Sequence, residues 1–138
     1  MTKYILAVLA LGSMVFATGL VGLPKTLTGF EKWTVVAKIS DTGGPHSGQS
    51  KQVFANKIAA TAWKKSGKLP VGSIVIKTGG KISSPSFVAV MYKRSTGWYY
   101  EEYFPRNGKY SIGAGGPNGQ ALCKDCHAGG TDELFTRP

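Results

Sequence analysis

The chain has 138 residues, the length of one domain around one core, so a large enzyme of several lobes is excluded. Lysine and arginine number 17 against 7 aspartates and glutamates, which gives a formal net charge of +10. This charge favours anionic ligands, acidic partner proteins or anionic lipid surfaces, although an ordinary solvated basic surface would show the same excess. The lysines are scattered along the chain, and we therefore expect no nucleic-acid partner.

The N-terminus has a short basic start at Lys3 and then an almost uninterrupted apolar run over residues 4–23. As a signal peptide, this segment offers small residues for cleavage after Ala17. As an uncleaved hydrophobic helix, about 20 residues span about 30 Å, which is enough to cross the hydrocarbon core of a membrane. Both alternatives place a single domain, residues 25–138, in the periplasm. It is either anchored to the inner membrane through residues 4–23 or secreted after removal of a leader within residues 1–24.

Stretches rich in β-branched and aromatic residues predict the strands. They cover residues 33–40, 51–55, 72–80, 87–94 and 97–104, and the last three indicate an antiparallel meander. Asn56 is a good N-cap for a helix that Gly67 ends. Composition predicts loops over residues 41–50 and over the glycine-rich residues 105–120.

The stretch ALCKDCHAGG, residues 121–130, contains the only two cysteines, Cys123 and Cys126, and His127 follows the second directly. Cys-x-x-Cys-His is the spacing of c-type haem attachment. Two thiols on one helical turn can each form a thioether with a haem vinyl group, and the adjacent imidazole then reaches the iron. A zinc site would need four ligands, and the chain offers only one further histidine, His46. A disulfide between the two cysteines would close a very short loop and stabilise little. One covalent haem c per chain, with His127 as the iron ligand, is the favoured interpretation of the three.

The other face of the iron decides the function, because an electron-transfer haem needs a second strong ligand. Outside the leader, the sequence offers only Met91 and His46. A methionine in a strand usually packs in a core, and a histidine in a glycine-rich loop usually lies at the surface. We therefore expect a five-coordinate iron with an open site for small molecules such as NO, CO or hydroxylamine.

Residues from about 45 to 137 resemble the cytochrome P-460 family, which includes the cytochromes c′-beta. The matching pieces are KQVFANKIAATAWKKSGKLPVGSIVIK, VAVMYKRSTGWYYEEYFP and CKDCHAGGTDELFTR, in the order of the family. The resemblance implies an α+β fold, mainly an antiparallel β-sheet with a few helices, around one five-coordinate haem c. The resemblance is also compatible with a homodimer, which no stretch of the sequence itself indicates.

The resemblance also draws attention to Lys77, which closes the strand VGSIVIK. In hydroxylamine-oxidising members, the matching lysine is bonded to the porphyrin edge, whereas a strand-end lysine otherwise reaches solvent. Those members also carry an acid ahead of the haem cysteines, and here residues 105–122 contain no Asp or Glu. Because we expect Glu101 and Glu102 to face solvent on a hairpin, the sequence favours gas binding over oxidation.

Three further side chains are weighed for the haem pocket. Phe54 and Phe87 are candidates to cap its distal side, although core packing is the commoner role of phenylalanine. Arg137 could pair with a haem propionate, because guanidinium suits bidentate carboxylate contacts, or it could lie near His127. The alternative is an arginine that is free at the surface.

The sequence thus predicts a periplasm-facing mono-haem c-type cytochrome that binds or redox-processes small nitrogen oxides or gases. It would be a hydroxylamine or nitric oxide oxidoreductase if Lys77 is cross-linked to the haem. The alternative is an electron-transfer or accessory haem subunit of a membrane complex, with an acidic redox partner docked on the basic surface. A low-spin iron ligated by His46 or Met91 would distinguish this alternative.

Overall fold

A computed structural model describes residues 20–40, 43, 44, 46 and 48–138. Two 3-10 turns, Lys25–Leu27 and Phe30–Lys32, precede the first strand. The elements that follow are β1 (Thr34–Ile39), β2 (Lys51–Ala55), α1 (Lys57–Ala62), β3 (Ile74–Gly79), β4 (Val88–Arg94), β5 (Gly97–Arg106), β6 (Lys109–Gly115) and α2 (Gln120–His127). The six strands form one sheet in the order β1 to β6, and each neighbouring pair is antiparallel. The predicted antiparallel sheet with few helices is therefore confirmed.

The strand β6 corrects the predicted loop over residues 105–120. β5 continues through Pro105 to Arg106, turns at Asn107 and Gly108, and pairs back through β6. Both turn residues have positive φ, 49° and 77°, which is the conformation that two-residue hairpins require and that Asn-Gly favours. The Asn-Gly pair was the sequence signal for this hairpin, and the glycines that follow it obscured the strand.

Helix α1 is shorter than predicted and ends at Ala62 instead of reaching Gly67. Its N-cap is the predicted one, because the Asn56 side chain accepts a hydrogen bond from the backbone N–H of Ala59 at 3.0 Å. The same side-chain oxygen accepts from the backbone N–H of Ile74 at 3.2 Å, so Asn56 ties the helix to the start of β3.

The sheet buries a different cluster on each face, because successive side chains of a strand point to opposite sides. We call the side that carries Val53, Val75, Met91 and Tyr100 the cavity face. The opposite side, which we call the closed face, carries Phe54, Ile76, Val88, Val90 and Tyr103 and is covered by Leu27 and Phe30. α1 and Leu134 pack against the cavity face.

The predicted N-terminal hydrophobic helix lies largely outside the described residues. Its last residues, from Leu20 to Leu23, form a turn in which Leu20 and Leu23 pack against the closed-face cluster. The Val21 carbonyl accepts a hydrogen bond from the backbone N–H of Tyr110 at 2.7 Å, which joins this turn to β6. In the part of the chain that the structure describes, no helix is long and apolar enough to cross a membrane.

Candidate functional site

The helix that carries the cysteines is fixed to the sheet by its first residue, Gln120. The Gln120 amide nitrogen donates to the carbonyls of Tyr100 and Gly116 at 2.7 and 2.6 Å. Its amide oxygen accepts from the backbone N–H of Tyr100 at 2.8 Å. Gln120 therefore satisfies both backbone groups of Tyr100 and sets where α2 starts relative to β5.

From this start, α2 presents Cys123, Cys126 and His127 to a cavity of about 340 Å³ between the helix and the cavity face of the sheet. No disulfide joins Cys123 and Cys126, so the structure does not support the disulfide alternative. Zinc gains no support either, since no group of three or more His, Cys, Asp or Glu side chains among the described residues could hold a metal ion.

The imidazole of His127 is oriented for metal binding. Its Nδ1 lies 2.8 Å from the backbone carbonyl oxygen of Glu133. A carbonyl only accepts, so Nδ1 carries the proton and Nε2 keeps its lone pair for a metal. Burial lowers the pKa of His127 despite the opposing effect of this hydrogen bond, and the ring is therefore neutral near pH 7.

Asp132 holds the turn that supplies the Glu133 carbonyl. Asp132 and Glu133 both have positive φ, 49° and 63°. The Asp132 carboxylate accepts from the backbone N–H of Leu69 at 2.7 Å and pairs with Lys93 at 2.6 Å. The Glu133 carboxylate accepts a hydrogen bond from the Tyr100 hydroxyl. These contacts fix the turn between β4, β5 and the segment after α1, and thereby the carbonyl that orients His127.

The sheet wall of the cavity carries a lysine and a carboxylate in one row. Lys77 of β3 pairs with Ala89 of β4, and Ala89 pairs with Glu102 of β5. Lys77 and Glu102 both line the cavity. Burial, and then the charge of Lys51, lower the pKa of Lys77, while the charges of Glu102 and Cys126 act in the opposite direction.

Glu102 corrects the prediction that both glutamates of β5 face solvent. Neighbouring residues of a strand point to opposite sides, so one of Glu101 and Glu102 had to face inward. The Glu101 carboxylate accepts from the Tyr103 hydroxyl at 2.6 Å on the closed face. The Glu102 side chain is 15% exposed and contacts His46 across the cavity.

His46 lines the cavity, which corrects its predicted place at the surface. Its Nδ1 lies 2.6 Å from the Glu102 Oε1, and its side chain is 19% exposed. The His46 ring centre is 5.4 Å from that of Phe87 and 6.4 Å from that of His127. Met91, the other residue considered as a ligand, also lines the cavity but is buried within the cavity-face cluster.

Phe54 is not part of the site. It is 2% exposed in the closed-face cluster, with its ring centre 5.6 Å from that of Phe30 in an edge-to-face contact. Its neighbour Val53 points to the cavity instead, because side chains alternate along β2. The prediction that Phe54 caps the distal pocket is therefore wrong, because Phe54 lies on the closed face. Phe87, the other candidate, packs against His46 beside the cavity.

Arg137 is also placed elsewhere. It is 6% exposed and donates to backbone carbonyls at the C-terminal end of α1. The acceptors are the carbonyls of Trp63, Ala62, Gly67 and Lys65. Helix ends leave their last carbonyls without partners, and a buried guanidinium satisfies several at once. Neither a haem-propionate partner nor a free surface arginine describes this residue.

The residues around the cavity fit a haem. The two thiols and the His127 imidazole share one helix and face the same space. Leu122 and Phe135, which also line it, are 74% and 60% exposed. Large apolar side chains that line a cavity and are this accessible are suited to cover a flat apolar group.

Comparison with known proteins agrees with this geometry. The sequence model of the Cytochrome P460 family matches residues 27–136. This range contains all six strands and both helices, together with Lys77, Glu102, His127 and both cysteines. No curated protein matches the chain.

Proposed function

The chain belongs to the Cytochrome P460 family, which implies a haem cofactor, and from this premise we propose that it is a c-type cytochrome that binds and oxidises a small nitrogen compound. Cys123 and Cys126 hold one haem c through thioethers, and His127 offers Nε2 to the iron. When bound, the haem would supply an iron that exchanges electrons and takes a small ligand.

The observation that carries this proposal is the position of Glu102 on the cavity wall. Oxidation of hydroxylamine to HNO releases two protons together with two electrons. A carboxylate within reach of the substrate serves as the general base. Glu102 meets this requirement, and its hydrogen bond to His46 gives the pair two sites for the proton. The electrons pass to an external one-electron acceptor.

Lys77 supports oxidation over simple gas binding. It lines the same cavity, and its lowered pKa increases the share of neutral amine, the form that reacts with carbon. Joining Nζ to the porphyrin edge replaces one N–H and one C–H bond by a C–N bond. This releases two protons and two electrons, so an oxidant of the peroxide class must act once during maturation.

The test is the absorption spectrum of the reduced protein before and after CO, with a denaturing pyridine assay for haem c and hydroxylamine turnover with a dye acceptor. We expect an abnormal chromophore that survives in pyridine, and turnover. Lys77→Met should give an ordinary haem c product and lose turnover. Lys109→Met, at an exposed lysine of β6, is the matched control and should change neither. An ordinary haem c product without turnover in the unaltered protein would contradict oxidation and leave reversible NO or CO binding.

Electron transfer in a membrane complex is the second candidate, favoured by the presence of His46 in the cavity. In this case the iron would be indifferent to CO and would not turn over hydroxylamine. For either function we propose a periplasmic location, because covalent haem attachment takes place outside the cytoplasm and the apolar sequence of residues 4–23 is typical of a leader or an anchor. The net charge of +10 suits an acidic redox partner.

A further inference from the structure

The two histidines of the chain both line the cavity, with their ring centres 6.4 Å apart and their ring planes at 65°. Each uses Nδ1 for a hydrogen bond, His127 to the Glu133 carbonyl and His46 to the Glu102 carboxylate. Each therefore keeps Nε2 for a metal. We infer that His46 is a second iron ligand, which occupies the face opposite His127 in the resting protein and which a small substrate must displace.

The ring separation matches this role. A metal–imidazole bond is about 2 Å long and the ring centre lies about 1.2 Å beyond the nitrogen, so two imidazoles on opposite sides of one metal have centres ~6 Å apart. A substrate held between the iron and His46 in van der Waals contact would require roughly 3 Å more. The 6.4 Å between the ring centres in the structure is close to the spacing of two such ligands.

Glu102 is the partner that such a ligand needs. Metal-binding histidines commonly donate their second N–H to a carboxylate, which fixes the tautomer and makes the imidazole a better donor. The Glu102 oxygen lies 2.6 Å from the His46 Nδ1, and both side chains are largely buried. A buried carboxylate without a partner would be costly, so Glu102 and His46 stabilise one another in this position.

The backbone conformation of His46 also supports this role. Its φ is 58°, in the left-handed region, which non-glycine residues adopt uncommonly and histidine more often than most of them. Such a conformation is retained where the surroundings impose it, which is common at binding sites. Here the ring contacts with Phe87 and the hydrogen bond to Glu102 hold the imidazole toward His127.

This inference rests on the proposed haem and deepens the proposed function, because it makes substrate entry depend on release of His46. An internal ligand that is bound in 99 of 100 molecules lowers the apparent affinity for an external ligand about 100-fold. Once released, His46 remains bonded to Glu102, and the pair is then free to accept a proton from the substrate.

The experiment compares ferric spin state and ferrous CO affinity in the purified haem protein and three variants. The unaltered protein should be low-spin, and His46→Ala should be high-spin and bind CO at least about 10-fold more tightly. Added imidazole should restore the low-spin spectrum of His46→Ala. Glu102→Gln should give a mixture and an intermediate CO affinity, because it weakens the bond without removing His46. Met91→Leu, which removes the other candidate ligand, should remain low-spin.

A high-spin unaltered protein whose spectrum is unchanged in His46→Ala would overturn the inference, and so would a low-spin spectrum that is lost in Met91→Leu but kept in His46→Ala. The pyridine assay on each variant separates these outcomes from failure of the proposed haem. The unaltered protein could be low-spin, become high-spin in His46→Ala and yet never oxidise hydroxylamine. This result would support His46 as an iron ligand and contradict only the proposed oxidation of hydroxylamine.

Discussion

Asp132 influences the orientation of His127 without lining the cavity. Asp132 does not line the cavity, yet it holds the turn whose carbonyl orients the imidazole. Its carboxylate is 4% exposed, and its partner Lys93 is 10% exposed. Burial alone would raise the pKa of Asp132, but the hydrogen bonds from Lys93 and from the Leu69 backbone hold this pKa below its usual range.

The change Asp132→Asn should therefore lower the free energy of unfolding by about 2 kcal/mol at pH 7, the scale of hydrogen bonds to a charged group. The folded pKa is depressed, so this stabilisation is complete above the unfolded pKa and is lost as the pH falls through the folded pKa. Denaturant unfolding should be measured from pH 7 to pH 2. The difference in free energy of unfolding between Asp132→Asn and the unaltered protein should become smaller below about pH 5.

The matched control is Asp125→Asn, because Asp125 is exposed on α2 between the two cysteines. This variant should unfold like the unaltered protein over the whole pH range. A difference for Asp132→Asn that stays constant down to pH 2 would mean that its carboxylate contributes through shape and not through charge.

At the scale of elements, the short helix α1 depends on the C-terminal end of the chain. The helix has 6 residues, which is too few to be stable alone. Asn56 satisfies its start, and Arg137, more than 60 residues away in sequence, satisfies carbonyls at its end. The terminal segment after α2 is thus part of the packing of α1.

We expect Arg137→Ala to lower the free energy of unfolding by about 2–4 kcal/mol, because it leaves several buried carbonyls without donors. Arg137→Lys should lie in between, since an ammonium group keeps the charge near the helix end but cannot reach all four acceptors. Denaturant unfolding measures both changes, and Arg106→Ala, at an exposed arginine, serves as the control.

The same variants test the earlier expectation of a propionate contact. The visible spectrum and the reduction potential of folded Arg137→Ala should equal those of the unaltered protein. A shift of the potential without a loss of stability would place the guanidinium at the haem instead.

At the scale of the whole molecule, the two faces of the sheet have different roles. The closed face is packed by aromatic and aliphatic side chains. On the cavity face, α1, Leu69, Leu134 and Cys123 pack against one part of the sheet, and the cavity lies beside them. Residue composition predicts most of the strands, and the cysteine motif predicts the helical turn that carries Cys123, Cys126 and His127. Lys77 was found through the family pattern, and the structure places it at the cavity.

Other features needed information that a single stretch of sequence does not contain. Glu102 could be distinguished from Glu101 only by knowing which face of β5 meets the cavity, and that depends on the register with β4. His46 sits in a loop whose composition gives no direction to the ring. The carbonyls that bind Arg137 lie near the end of α1, far from it in sequence, so their proximity follows from the tertiary fold alone.

Adjacent residues of β2 test whether the two faces are independent. Phe54→Leu changes only the closed face and should lower the free energy of unfolding by about 1–2 kcal/mol, because the smaller side chain leaves a cavity in the core. CO affinity and spin state should be unchanged.

Val53→Ala, one residue earlier, should lower the free energy of unfolding by about 1–2 kcal/mol. It should also change CO affinity, because Val53 lines the cavity. Denaturant unfolding and CO titration on both variants give the comparison. Equal effects of the two changes on CO affinity would mean that the sheet transmits packing from one face to the other, and the faces could not then be treated as separate.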